Sequence, residues 1–181
     1  STIALESIPY ELKSVEVKPK NYKNRILGNT TDSKILNVGF KENLLGYELG
    51  VIMKTKGKPT WIDSIQLNFS SCRYDSVFFR MNIYEFMEEV PANNLLNKPI
   101  YLSFSKEDLR NSILIDISKL GLYTERDFLV SLELVRDLGV GNLFFSTGFF
   151  LAPIYYRKTS HDSWRKFPFG AGIATFVTQE K

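Results

Sequence analysis

The stretch Val77-Phe78-Phe79-Arg80-Met81-Asn82-Ile83-Tyr84 indicates the fold class of this chain, because apolar residues occupy every second position of it. Side chains of a β-strand point alternately to its two faces, so one face carries an apolar row: Val77, Phe79, Met81 and Ile83. The other face mixes aromatic rings with planar hydrogen-bonding groups: Phe78, Arg80, Asn82 and Tyr84. This alternation predicts an antiparallel strand that packs one face on a core and turns the other toward water.

Similar short strand signals, separated by turns, recur along the rest of the chain. They are predicted at residues 35–40, 46–55, 61–70, 77–86, 100–104, 112–117, 128–135, 143–150, 154–157, 164–167 and 172–177. Only residues 106–110 and 119–123 are typical of short helical turns. Because the crossover helices of a parallel sheet are missing, the pattern predicts an all-β, antiparallel, jelly-roll-like β-sandwich with few or no helices.

The composition is that of an ordinary globular domain. The chain has 181 residues, of which 44% are hydrophobic, 24% charged and 14% aromatic. This length buries a substantial core, and the high aromatic content favours sheet. The net charge of +3 gives no electrostatic footprint for nucleic acid, so none is expected as a partner. No run reaches the roughly 18 apolar residues of a spanning helix, so no membrane-spanning segment is expected.

The first 33 residues differ from the rest and are predicted to form a strand followed by a connector. Residues 12–18 alternate partly like a strand that ends at Pro19, and residues 20–33 are polar with a loop signal at 28–32. The β-sandwich domain is therefore predicted over residues 34–181. Because the chain begins at Ser1 without an initiating Met, we expect a processed chain or a piece of a longer one.

The search for catalytic chemistry gives little. Cys72 is the only cysteine and His161 the only histidine, which excludes a disulfide within the chain, a cysteine zinc site and a multi-histidine metal site. There is no Gly-x-Ser-x-Gly elbow, so an exposed turn histidine is favoured over a catalytic triad. The glycine pairs at 139–141 and 170–172 match no phosphate-binding fingerprint and indicate hairpin turns. We expect no catalytic residue, no metal and no cofactor.

Paired carboxylates are the one catalytic arrangement that the residue types leave open. Glycoside hydrolases use two carboxylates on either side of the scissile bond. The candidates near predicted strand centres are Glu48, Asp63, Asp116 and Glu133. A hydrolase is therefore kept as the second alternative.

The polar strand faces suggest one place for a ligand. Arg80, Glu48 and Glu133 are expected to meet on one sheet face, with Asn82 and Gln66 beside them. Aromatic rings with a few planar polar groups are what sugar recognition needs, whereas cross-strand ion pairs on a solvated face would give the same pattern. Each Trp follows a polar loop and is either a stacking platform or a packing anchor. The candidate ligand-binding residues are Glu48, Trp61, Arg80, Asn82, Tyr84, Glu133 and Trp164.

Four segments resemble the C-terminal β-sandwich region of bacterial cell-envelope proteins that carry an N-terminal carboxypeptidase-regulatory-like domain. They are Tyr10-Glu11-Leu12-Lys13-Ser14-Val15-Glu16-Val17-Lys18-Pro19-Lys20, Gly46-Tyr47-Glu48-Leu49-Gly50, Phe78-Phe79-Arg80-Met81-Asn82-Ile83-Tyr84 and Val130-Ser131-Leu132-Glu133. The resemblance implies a jelly roll similar to galactose-binding-like folds and an exported protein. It also implies that the start of the chain is the tail of a missing upstream domain, and it transfers no catalytic residues.

These observations together favour a non-catalytic accessory or interaction domain of an exported cell-envelope protein, periplasmic or attached to the cell surface. The first alternative is a carbohydrate-binding module that uses the polar and aromatic sheet face. A glycan or an envelope protein is the expected partner. Fold likeness to sugar-binding domains does not by itself establish sugar binding.

Overall fold

A computed structural model describes residues 21–110, 112–148 and 152–181, and within these ranges the regular elements are almost all β-strands. The strands are β1 (Tyr22–Gly28), β2 (Asn37–Phe40), β3 (Glu48–Met53), β4 (Thr60–Leu67), β5 (Phe69–Cys72), β6 (Ser76–Met87), β7 (Val90–Asn94), β8 (Ile100–Ser105), β9 (Ile113–Asp116), β10 (Tyr123–Thr124), β11 (Phe128–Leu134), β12 (Leu143–Gly148), β13 (Ile154–Arg157), β14 (Arg165–Phe167), β15 (Gly170–Ala171) and β16 (Ile173–Glu180). Two short 3-10 helices cover Asp108–Arg110 and Ser118–Leu120. The predicted all-β class with few helices is confirmed.

The strands form three antiparallel sheets. The main sheet has the order β14-β13-β3-β11-β6-β7, with β8 also paired to β6. The terminal sheet, so named because it contains the first and last described strands, has the order β1-β16-β4-β10, with β9 also paired to β4. A smaller sheet has the order β15-β12-β2, with β5 also paired to β12. All described pairings are antiparallel, which agrees with the predicted sandwich.

One cluster of buried apolar side chains holds the three sheets together. Its members come from the inward faces, for example Val51 and Leu132 of the main sheet, Ile65 of the terminal sheet and Phe145 of the smaller sheet. The predicted apolar row of β6 lies in this cluster, and its four side chains are all but inaccessible to solvent. The alternation therefore places Arg80 and Asn82 on the opposite, outward face of the main sheet.

Three local predictions differ from the structure. Tyr22–Gly28, assigned to a polar connector, pairs with β16 along its whole length and is a strand of the terminal sheet. Val90–Asn94, which lies between the strands predicted at 77–86 and 100–104, is the edge strand β7, where Pro is tolerated. Gly170–Ala171, taken as a hairpin turn, is the buried strand β15. Residues 1–20, including the predicted strand at 12–18, lie outside the described residues, so the domain boundary at 33 stays a prediction.

Within the described ranges, no helix is long and apolar enough to cross a membrane.

Candidate functional site

Four charged side chains lie side by side on the outward face of the main sheet. In the strand register, Arg157 of β13 is opposite Glu48 of β3, Glu48 is opposite Glu133 of β11, and Glu133 is opposite Arg80 of β6. Two carboxylates therefore occupy the centre of the row and one arginine flanks each side. We call Arg157, Glu48, Glu133 and Arg80 the charged row.

Glu48 is fully buried, and both oxygens of its carboxylate accept hydrogen bonds. Arg157 donates from Nε and Nη2 to Oε2 at 2.8 and 2.7 Å. The Ser131 hydroxyl and the Asn82 amide donate to Oε1 at 2.6 and 2.8 Å. Burying an ion is costly unless it is paired and hydrogen-bonded, and this carboxylate meets both conditions.

Glu133 is held in the same way from the other side. Arg80 donates to its Oε2 from Nε at 2.9 Å and from Nη2 at 2.5 Å. The Ser160 hydroxyl donates to Oε1 at 2.8 Å. Asn82 Nδ2 reaches Oε2 at 3.2 Å as well as Glu48, so a single amide links the two carboxylates. The side-chain carbonyl oxygen of Asn82 accepts a hydrogen bond from Asn94 at 3.0 Å, so both polar atoms of this amide have partners.

The loop between β13 and β14 covers this row. The carbonyl of Ser160 accepts a hydrogen bond from Arg157 Nη1 at 2.6 Å. The ring of Trp164 lies 4.8 Å from the Arg157 guanidinium and meets the Tyr84 ring edge-on at 5.8 Å. Burial, followed by the negative charge of Glu48, raises the pKa of the Tyr84 phenol. Trp164 is therefore a half-buried ring that covers the Arg157 guanidinium.

The Arg80 end of the row lies near an opening, and the Arg80 side chain is 35% exposed. Partial burial lowers the pKa of the Arg80 guanidinium, but the hydrogen bond and charge of Glu133 outweigh it, and the net shift is upward. A shallow cavity of about 380 Å³ lies beside Arg80 and Glu133 and is bounded by Ser160 and the exposed His161. Both carboxylate oxygens of Glu133 already accept hydrogen bonds, Oε2 from Arg80 and Oε1 from Ser160.

The other candidate residues lie elsewhere. Asp63 and Gln66 belong to β4 and Asp116 to β9, all in the terminal sheet. Trp61 also belongs to β4, and 41% of its surface is exposed. Thus Glu48, Arg80, Asn82, Tyr84, Glu133 and Trp164 come together, whereas Trp61 is on a different sheet. The expected position of Gln66 beside Arg80 is wrong, because β4 does not pair with any strand of the main sheet.

Four side chains that hydrogen-bond within this network were not predicted: Arg157, Ser131, Ser160 and Asn94. The alternation of Ile154-Tyr155-Tyr156-Arg157 places Arg157 on the same face as Tyr155, so the signal for a strand residue was present. No pattern in the sequence indicates that β13 pairs with β3. Ser160 lies in a loop, and no strand pattern places a loop residue over a sheet.

The sequence analysis also missed a cleft of about 400 Å³ between β2 and the edge of the main sheet. Tyr47 and Tyr156 stack in its wall with ring centroids 6.2 Å apart, and Lys41 and Lys158 lie at its rim. Burial raises the pKa of the Tyr47 phenol, as does the nearby Tyr156. Among the described residues, no group of three or more His, Cys, Asp or Glu is arranged to hold a metal ion.

No family model, curated protein or solved structure matches this chain.

Proposed function

We propose that this chain is a non-catalytic accessory or interaction domain of an exported bacterial cell-envelope protein. The proposal that the domain is non-catalytic rests on the burial and pairing of Glu48 and Glu133, the two candidate carboxylates that lie together. Each is buried, each is paired with an arginine, and both accept from the amide of Asn82. The exported location is supported by the resemblance of the four segments quoted above.

A retaining or inverting glycosidase needs one carboxyl that holds a proton at working pH and a second carboxylate that reaches the sugar or its water. Glu48 faces an arginine, a serine and an amide at hydrogen-bonding distance and has no exposed surface. The donors of Arg157, Ser131 and Asn82 leave no lone pair of this carboxylate for a substrate. This arrangement favours architecture over acid–base chemistry.

The test is to incubate the chain with a panel of polysaccharides and to measure reducing ends released over time, alongside Glu48→Gln and Glu133→Gln variants. We expect no release by any of the three proteins, together with lower melting temperatures for both variants. Release of sugar by the unaltered chain that either substitution abolishes would overturn the proposal.

A further inference from the structure

The outward face of the terminal sheet carries three exposed aromatic rings at one end. Tyr22, Trp61 and Tyr123 are 40%, 41% and 41% exposed, respectively. The rings of Trp61 and Tyr123 have centroids 5.0 Å apart and are inclined at 54°. We call Tyr22, Trp61 and Tyr123 the aromatic strip.

The strand register explains how residues distant in sequence form this strip. Tyr123 of β10 is opposite Trp61 of β4, Trp61 is opposite Thr178 of β16, and Thr178 is opposite Asn24 of β1. Tyr22 is two residues before Asn24 and therefore points to the same face. The strip thus crosses the whole terminal sheet at the end where residues 60, 123 and 180 lie.

Polar groups surround the rings. The Tyr123 hydroxyl donates to Glu125 at 2.5 Å, and this hydrogen bond, with some burial and the charge of Glu125, raises the pKa of Tyr123 to about 12. Thr178 Oγ1 lies 2.9 Å from Asp63 Oδ2 and 3.4 Å from Asn24 Oδ1. Hydroxyl, amide and carboxylate groups therefore lie between and beside the rings at the level of the surface.

We propose that the aromatic strip binds a polysaccharide chain of β-linked pyranose units with equatorial substituents. Such a sugar presents flat faces of C–H groups that stack on aromatic rings, and its hydroxyls point sideways toward planar polar partners. A strip across an open sheet suits a chain that runs over the surface, since no pocket is needed at its ends. This inference rests on the proposed non-catalytic function and specifies the partner of that domain.

The chemistry of this end of the face, away from the exposed Ile26 and Leu114, favours a glycan over a protein partner or a second copy of the chain. Stable protein interfaces have an apolar centre that is depleted of charge and closed off by a polar rim. Here the polar side chains Thr178 and Asn24 continue the same cross-strand row as Trp61 and Tyr123, and the charged Glu180 is opposite Tyr22. These polar groups lie between Tyr22 and the Trp61–Tyr123 pair. Burying them against a dry protein surface would be unfavourable, whereas a hydroxyl-rich polymer can hydrogen-bond to them.

The experiment is co-sedimentation of the whole 181-residue chain with insoluble β-1,4-glucan, chitin and purified peptidoglycan, with amylose as a polymer of different linkage. We expect binding to at least one of the β-linked polymers and none to amylose. Trp61→Ala and Tyr123→Ala should each weaken binding roughly tenfold, the change that about 1.4 kcal/mol produces. Tyr101→Ala, which removes an aromatic ring 53% exposed on the main sheet, is the matched control and should bind as the unaltered chain does.

Three outcomes would overturn the inference: no binding to any β-linked polymer, binding that Trp61→Ala leaves unchanged, or a self-association in light scattering that Trp61→Ala abolishes. The last would assign the strip to a second copy of the chain. Each of these outcomes can be distinguished from failure of the proposed function. That failure would be measured as release of reducing ends and would depend on Glu48 and Glu133.

Discussion

The charged row of the main sheet and the aromatic strip of the terminal sheet both occupy outward faces, yet they differ in what covers them. Glu48 and Glu133 are surrounded by donors from three strands and from the loop that carries Ser160. Trp61 and Tyr123 contact each other and remain two-fifths exposed. Polar groups that hydrogen-bond to one another leave few free donors or acceptors for a ligand, whereas exposed aromatic rings remain available for contact.

The comparison also separates two kinds of tryptophan. Trp164 lies against the Arg157 guanidinium and the Tyr84 ring, and its loop covers buried charges. Trp61 is the second residue of β4, and its ring contacts the Tyr123 ring. The sequence gives both residues the same setting, after a polar loop at the start of a strand. Their surroundings, which the sheet register decides, make one of them a cover and the other a candidate stacking surface.

The largest expected effect is the loss of one arginine from the charged row. Arg157→Met should lower the free energy of unfolding by about 3–5 kcal/mol, because it leaves the fully buried Glu48 without its counter-charge. Urea denaturation followed by tryptophan fluorescence measures this change. Arg165→Met is the control, since its pair with Asp162 is exposed and 3.9 Å long, and it should change stability by less than about 0.5 kcal/mol.

The cause of that loss can be separated from lost packing by the double variant Glu48→Gln with Arg157→Met. With the charge removed, part of the lost stability should return, because an uncharged amide is less costly to bury than an unpaired carboxylate. Equal destabilisation of the single and double variants would mean that the buried charge is not the cause, and the account of the row given above would then be wrong.

Substitution of Gly50 tests how closely β3 and β11 approach each other next to the charged row. A Cβ at this position would lie 2.5 Å from the Val130 carbonyl oxygen and 2.6 Å from the Ser131 Cβ. Because part of this contact is with backbone, Gly50→Ala should cost about 3 kcal/mol, the upper end for an overpacked core. Gly139→Ala is the control, because nothing lies within 4 Å of its Cβ and only its positive φ opposes the change, at about 1 kcal/mol. Thermal unfolding measures the melting temperatures of the two variants. Equal melting temperatures would contradict this account.

The sequence predicts features that are local to one strand better than contacts between segments that are distant along the chain. Alternation along β6 predicts which of its side chains are buried, because the two faces of a strand are a local property. The arrangement of Glu48, Glu133 and Arg80 on one face also follows from alternation, once their strands are neighbours. The partnership of Glu48 with Arg157 does not, because nothing in either segment specifies that β13 pairs with β3. For the same reason, the contact of Trp61 with Tyr123 depends on a strand of only two residues, Tyr123–Thr124, which no pattern reveals.

Arg80→Ala is expected to have an intermediate effect. Its side chain is 35% exposed, so water replaces part of what Glu133 loses, and Ser160 and Asn82 still donate to that carboxylate. We expect a loss of about 1.5–2 kcal/mol, at the lower end for hydrogen bonds to charged groups, which a lowered melting temperature would show. An unchanged melting temperature would mean that Arg80 does not stabilise the fold, and Arg80 would again become a candidate for ligand binding.

The smallest expected effect on stability is that of Trp61→Ala, at about 1 kcal/mol, because two-fifths of the residue is already exposed and the contact with the Tyr123 ring is what it loses. Urea denaturation measures it, and Trp61→Phe, which keeps a ring beside Tyr123, should lie closer to the unaltered chain. If Trp61→Ala unfolded as readily as Arg157→Met, the terminal sheet would need this ring for its own architecture, and a loss of polysaccharide binding in that variant would no longer identify a site. A stable Trp61→Ala variant, by contrast, makes any loss of binding a property of the aromatic strip itself.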